Sequence, residues 1–222
     1  MALRCVLVVC LLLSLVSVPH APARPVLTGH AVTTVGDVGA HYPLFIVAKS
    51  HHPENLTVVY TKLDQHCRVL PDREHGGQPT LDFYWLMGQT HYKPMAAPLK
   101  DGIRQRLQFT DVRGYQEDPT TFAVRLEDLS RLRHDLPQPT VQIKTERHGE
   151  GCVAMALMAL GPSNGHATVK LESIFTQTEA LTLPKKMQAM ADPDALQVYA
   201  VTVKGTDVTT GQPLERTYTA AH

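Results

Sequence analysis

Twelve histidines in a chain of 222 residues raise the question of a metal site, because imidazole is the commonest protein ligand for zinc and copper. Seven lie within one stretch of the chain: His30, His41, His51, His52, His66, His75 and His91. Their spacing does not build a site on one element. Two ligands on one strand face need an H-x-H pair, and the sequence has none. It also lacks H-E-x-x-H, the pair that one helix face presents to zinc. His51 and His52 are neighbours and would point to opposite faces of a strand, as would His66 and Cys67. A zinc or copper site would have to be assembled from distant strands. Solvated turn histidines explain the residues more simply, and no metal ligand is assigned.

Other reactive types are no more persuasive. Gly161-Pro162-Ser163-Asn164-Gly165 has the letters of a hydrolase nucleophile elbow, but an elbow joins a strand to a helix. Here His166–Glu172 alternates like a second strand, so Pro, Ser, Asn and Gly read together as a hairpin turn. Glu117-Asp118 and Glu127-Asp128 lie in charged or turn-like segments, whereas acid–base work needs carboxylates perturbed in a cleft. No catalytic residue is assigned. Tyr84-Trp85 contains the only tryptophan and could stack on a ligand; on a strand one ring would face the core and the other outward. Asn55-Leu56-Thr57 fits the N-glycosylation triplet.

The elements that must position these residues are mostly strands. Pro43–Ala48, Leu56–Lys62, Leu81–Met87, Thr121–Glu127, Val141–Thr145, Cys152–Leu160, Val169–Ile174, Leu196–Lys204 and Leu214–Thr219 are apolar or alternate with period two, the pattern of antiparallel sheets with one wet face. Turn-forming Gly, Pro and Asn clusters separate them. One helix is expected around Pro98–Leu107, weakened by Gly102, and a helical turn at Glu127–Leu132. There is no βαβ rhythm. The expected fold is all-β: an antiparallel barrel or sandwich of about eight to ten short strands.

The N-terminus explains where such a fold would work. Arg4 precedes an apolar stretch, Cys5–Val18, broken by Pro19 and followed by Ala21-Pro22-Ala23. That is the layout of a signal peptide over residues 1–23, and the stretch is short of the roughly 20 residues a spanning helix needs. Residues 24–42 then form a lead-in, and 43–222 a single β-rich domain. Cys5 and Cys10 leave with the signal, so the remaining pair, Cys67 and Cys152, is the one intramolecular disulfide an oxidising compartment would allow. Equal counts of basic and acidic residues, 21 each, argue against nucleic acid. Hydrophobic residues make up 43%, enough for a core.

Two stretches also resemble a known pattern. Leu44-Phe45-Ile46-Val47-Ala48-Lys49-Ser50, followed by Asn55 and Tyr60, is similar to L-F-x-I-x-R-S, then an Asn-rich turn, then V-x-Y. Pro79–Met87 resembles P-V-x-V-Y-W-I-M. Ile174-Phe175, Gly205-Thr206-Asp207, Thr210-Gly211 and Glu215-Arg216 extend the likeness over Tyr42–Tyr218. The chain so resembles an uncharacterised family of exported bacterial domains. The resemblance implies export to the periplasm or beyond, and it marks Ser50, Asn55 and Tyr60 as positions of interest beside Tyr84 and Trp85. It places His51 and His52 in a lengthened turn and brings no chemistry. The expectation is a non-enzymatic exported binding module, without cofactor, for a small molecule or envelope component, with a groove lined by aromatics. The alternatives are a histidine-assembled zinc or copper protein and a hydrolase using Ser163. Elemental analysis tests the first pair: the binding module is expected to purify without stoichiometric metal. Near one equivalent of zinc or copper, lost in His66→Ala or His91→Ala, would establish the metal protein instead.

Overall fold

A computed structural model describes residues 40–49, 56–87, 91–133, 139–161, 167–178 and 198–220. Its strands follow from apolar and β-branched runs. Ala40–Lys49 (β1), Leu56–Leu63 (β2), Pro71–Asp72 (β3), Gln78–Pro79 (β4), Asp82–Met87 (β5) and His91–Pro94 (β6) come first. Leu107–Phe109 (β7), Thr121–Leu126 (β8), Thr140–His148 (β9), Gly151–Leu160 (β10), Ala167–Thr178 (β11), Val198–Asp207 (β12) and Pro213–Thr219 (β13) follow. The clearest alternation is in β9, which buries Val141, Ile143 and Thr145 and exposes Gln142, Lys144 and Glu146. The fold is mainly β, mostly antiparallel and curled into a half-barrel, as the sequence pattern leads one to expect.

Three short helices interrupt it. Ala97–Arg106 (α1) carries Pro98 in its first turn, where no amide is lost, and ends in Arg104 and Arg106, which complement the helix dipole. Val112–Glu117 (α2) is capped by Asp111, whose carboxylate accepts the Gly114 amide at 2.7 Å. Glu127–Leu132 (α3) places two acids in its first turn. None of these helices is long or apolar enough to cross a membrane.

Eleven strands share one sheet, and β11 is where it forks. One edge of β11 pairs with β12 from Val169 to Thr178, and β13 lies beyond. The other edge is divided. Ala167–Lys170 pairs antiparallel with β10, whereas Ser173–Thr176 pairs in parallel with β1. From that edge one branch runs β1-β2-β5-β6 and the other β10-β9-β8-β7. The change of neighbour coincides with a register shift between Leu171 and Ser173. Opposite it sits Gly205, where an added Cβ would collide with the Lys170 carbonyl, so only glycine lets the two backbones approach there.

The branches face each other across the core. Phe45, Val59 and Phe83 from one meet Val124, Val141 and Ile143 from the other, with Leu129 and Leu132 of α3 joining them. Arg106 of α1 donates to Asp128 of α3, through Nε at 2.8 Å and through Nη2, which also reaches Thr176 Oγ1 on β11 at 3.1 Å. Both helices are thus locked to the fork strand.

A disulfide joins the branches a second time. Asp64 Oδ1 accepts the amides of His66 and Arg68 at 2.8 and 2.9 Å. The tight turn holds Cys67 at φ 63, in the left-handed region, and presents it to Cys152 at the start of β10 with Cα atoms 5.4 Å apart. Thr145 Oγ1 donates to the Cys67 carbonyl at 2.5 Å. With a sequence separation of 85 residues, the chain-entropy model assigns the bond about 4–5 kcal/mol. Cys67→Ser with Cys152→Ser is expected to lower the guanidinium unfolding midpoint accordingly. An unchanged midpoint would show that the bond adds nothing to the packing around it.

Candidate functional site

Cross-strand register shows what the outer face of the sheet, opposite the core, presents. Residues opposite one another in a ladder share a face. One row reads Tyr84 (β5), Val58 (β2), Ile46 (β1), Ser173 (β11), Lys204 (β12) and Glu215 (β13). The next reads Leu56, Ala48, Phe175, Thr202 and Thr217. Both rows change chemistry in the same direction, from aromatic and aliphatic on β5 and β2 to hydroxyl and charged on β12 and β13.

A groove of about 880 Å³ lies over this face and reaches into the fork, within the usual range for small-molecule sites. Its apolar wall includes Ile46, Ala48, Leu56 and Phe175, and its polar wall Thr202, Lys204, Glu215 and Thr217. The polar residues are already paired. Thr202 Oγ1 and Thr217 Oγ1 are 2.8 Å apart. Lys204 Nζ meets Glu215 Oε2 at 2.8 Å, and Thr206 Oγ1 donates to Glu172 Oε1 at 2.8 Å. The groove therefore carries hydroxyls and charges of both signs beside an aliphatic wall. Phe175 is its one aromatic among the described residues.

Next to the groove, behind Ile46, is a second buried cluster. Ile46, Val58, Tyr60 and Tyr84 pack together away from the main core. The Tyr60 and Tyr84 rings meet edge to face with centroids 5.3 Å apart. His41, only 1% exposed, tilts against both rings, and its Nδ1 lies 3.2 Å from the Tyr84 hydroxyl. That hydroxyl is 3.4 Å from Asp82 Oδ2. Asp82 also receives the Lys100 ammonium at 2.5 Å and the Phe83 amide at 2.9 Å, and Lys62 stands 4.0 Å away. Burial alone would raise the Asp82 pKa. The Lys100 hydrogen bond, the Phe83 amide and the two lysine charges together outweigh it and hold the carboxyl below its ordinary value. A line of polar groups thus runs from Lys100 on α1 through Asp82 and Tyr84 to the interior imidazole.

Tyr60 and Tyr84, two of the expected ligand positions, are brought into contact with each other. Trp85 points to the other face and packs partly buried against the main core. Ser50 and Asn55 lie outside the described residues, as do Ser163, His30, His51, His52 and the signal segment. His66 and His75 are exposed: His66 sits beside Gln65, and His75 donates or accepts between Asp72, at 2.9 Å, and Arg104, at 3.0 Å. Among the described residues no three His, Cys, Asp or Glu side chains gather where one metal ion could be shared. The carboxylate pairs do structural work. Asp118 caps Thr120 at 3.0 Å, Asp128 holds Arg106, and Glu127 meets Arg125 and Arg131 at 3.2 and 3.1 Å. Sequence reasoning passed over His41, Asp82 and Lys100. The available signal was a histidine opening an apolar strand.

Comparison with known proteins adds no relative: the chain matches no protein-family model, no curated protein and no solved structure.

The Asp82 cluster makes stability depend on pH in a definite direction. A carboxyl whose folded pKa is depressed contributes stability above the ordinary carboxylate value of about 3.9, and that contribution fades as pH falls through the folded value. Asp82→Asn removes the charge-assisted bonds and is expected to cost about 1.5–3 kcal/mol near neutrality, with the gap to the parent closing as pH falls through the depressed folded pKa. Urea unfolding at several pH values measures this. A gap that stays constant down to pH 2 would exclude ionised Asp82 as the hub.

Proposed function

We propose that the chain is an exported, non-enzymatic binding module that holds a small molecule on the outer face of the sheet. The observation carrying this reading is the groove over β1, β2, β11, β12 and β13, with one aliphatic wall and one hydroxyl-rich wall. Convergence of a few polar groups on an otherwise apolar concavity is how small-molecule sites gain orientation as well as affinity. The periplasm or the extracellular space is the compartment proposed. The signal-like first 23 residues and the likeness to exported bacterial domains favour it, and a Cys67–Cys152 bond is at home in such an oxidising setting.

The reading also fits what the titratable groups do. Asp82, Asp128 and Glu127 are each engaged by cations of the fold, whereas general acid–base catalysis needs a group poised in a cleft beside substrate.

Binding of the uncharged apolar fluorophore N-phenyl-1-naphthylamine to the folded protein tests the groove. Saturable one-site binding is expected, weakened about tenfold, or about 1.4 kcal/mol, by Phe175→Ala, with thermal unfolding unchanged within a few degrees. Absence of saturable binding, or binding indifferent to both Phe175→Ala and Leu56→Ala, would remove the groove as the site.

A further inference from the structure

The two register rows carry the inference further than "small molecule". A ligand bound along a strand would meet one chemistry throughout: aliphatic over β1 and β2, hydroxyl and charged over β12 and β13. A ligand bound across the strands meets both in sequence. From Leu56 through Ala48 and Phe175 to Thr202 and Thr217, four strand intervals are crossed, about 19 Å at the usual spacing of about 4.8 Å. The apolar half of that path is continuous with the buried cluster of Ile46 and Val58. The polar half ends at paired threonine hydroxyls and a lysine–glutamate pair.

Resting on the binding-module reading, we infer that the occupant is a single-chain amphiphile with an uncharged, hydroxyl-bearing head: its alkyl chain lies over Phe175, Ala48 and Leu56, and its head meets Thr202, Thr217 and the Lys204–Glu215 pair. The head is uncharged because the groove's charges balance: Lys170 and Lys204 stand against Glu172 and Glu215. Lys204 is met by Glu215 at 2.8 Å, and Glu172 accepts the Thr206 hydroxyl at 2.8 Å. An anionic head drawn to either lysine would share the groove with both carboxylates, and would gain Lys204 only by displacing Glu215; electrostatic complementarity disfavours that. A polyol head can donate to those carboxylates and accept from the lysine and threonines without disturbing either pair. A chain of this kind also suits a wall whose one aromatic among the described residues is Phe175, since Tyr60, Tyr84 and Trp85 are packed elsewhere.

Displacement of N-phenyl-1-naphthylamine by monolauroylglycerol and by laurate, both below their aggregation concentrations, decides the matter. Monolauroylglycerol is expected to bind at least about tenfold tighter than laurate at pH 8, and tighter than its eight-carbon homologue because each added methylene is buried. Glu215→Gln, which leaves Lys204 without its counter-charge and takes a carboxylate acceptor from the polyol, is expected to tighten laurate several-fold and to weaken monolauroylglycerol, so that the preference between them narrows. Leu56→Gln, at the chain's far end, is expected to weaken both. Laurate binding as well as the glycerol ester, or unmoved by Glu215→Gln, would overturn the head assignment. A bound fluorophore that neither amphiphile displaces would overturn the amphiphile class and leave the binding module standing. A fluorophore that does not bind at all would overturn both readings. Circular dichroism and thermal unfolding of each variant ensure that a lost signal is a lost site.

Discussion

Everything in this structure hangs on the divided edge of β11. A strand has two edges, and each backbone amide and carbonyl on them must find a partner if it is to be buried. One edge of β11 is filled by β12 along its length. The other is filled half by β10 and half by β1. Two strands cannot lie in the same place beside the same neighbour, so each must leave the sheet where the other enters. That departure is what bends one sheet into two facing branches. The shift between Leu171 and Ser173 absorbs the mismatch, and Gly205 lets β12 stay close while it happens. The core between the branches then follows from ordinary alternation, and the disulfide fixes the spacing of the branches at a second point.

The same fork creates the groove. In a simple meander, strands from one hairpin would present a uniform outer face. Here a parallel pairing brings β1, with Ile46 and Ala48, next to a hairpin from the far end of the chain carrying Thr202, Lys204, Glu215 and Thr217. An aliphatic surface and a hydroxylic one are made contiguous by topology alone. The buried His41–Tyr60–Tyr84 cluster backs the apolar side and stiffens it, since Asp82 anchors Tyr84 and Lys100 anchors Asp82 from α1.

Much of the fold was legible in the sequence because period-two alternation is a local property. Thr121–Leu126 and the first six residues of Thr140–His148 bury every second residue, and α1 was visible from Pro98 onward. The disulfide was legible by elimination, with two cysteines left to pair. The parallel contact of β1 with β11 was not legible, because neither strand carries a local mark of it. The helix α2 was missed because its six residues hold too little periodicity to register. The strand β7 is three residues long and continues directly from α1, so no turn signal announced it.

The site was legible only in part, and the reason is physical. Tyr84 and Trp85 were recognised as a pair of large rings on one strand, and alternation alone separates them to opposite faces. What a single strand cannot reveal is whether the outward ring meets solvent or another layer. Tyr84 meets His41 and Tyr60, and the hydrogen-bonding capacity of its hydroxyl is directed at Asp82 and the imidazole rather than at a ligand. Once those rings are engaged with one another, the groove on this face is left to other residues: Phe175 on its apolar wall, and the threonine pair on its polar one. A row of modest side chains spaced across five strands leaves no motif in a linear sequence. It becomes visible only when register aligns Leu56, Ala48, Phe175, Thr202 and Thr217, and so the chemistry of this protein is written across its strands rather than along them.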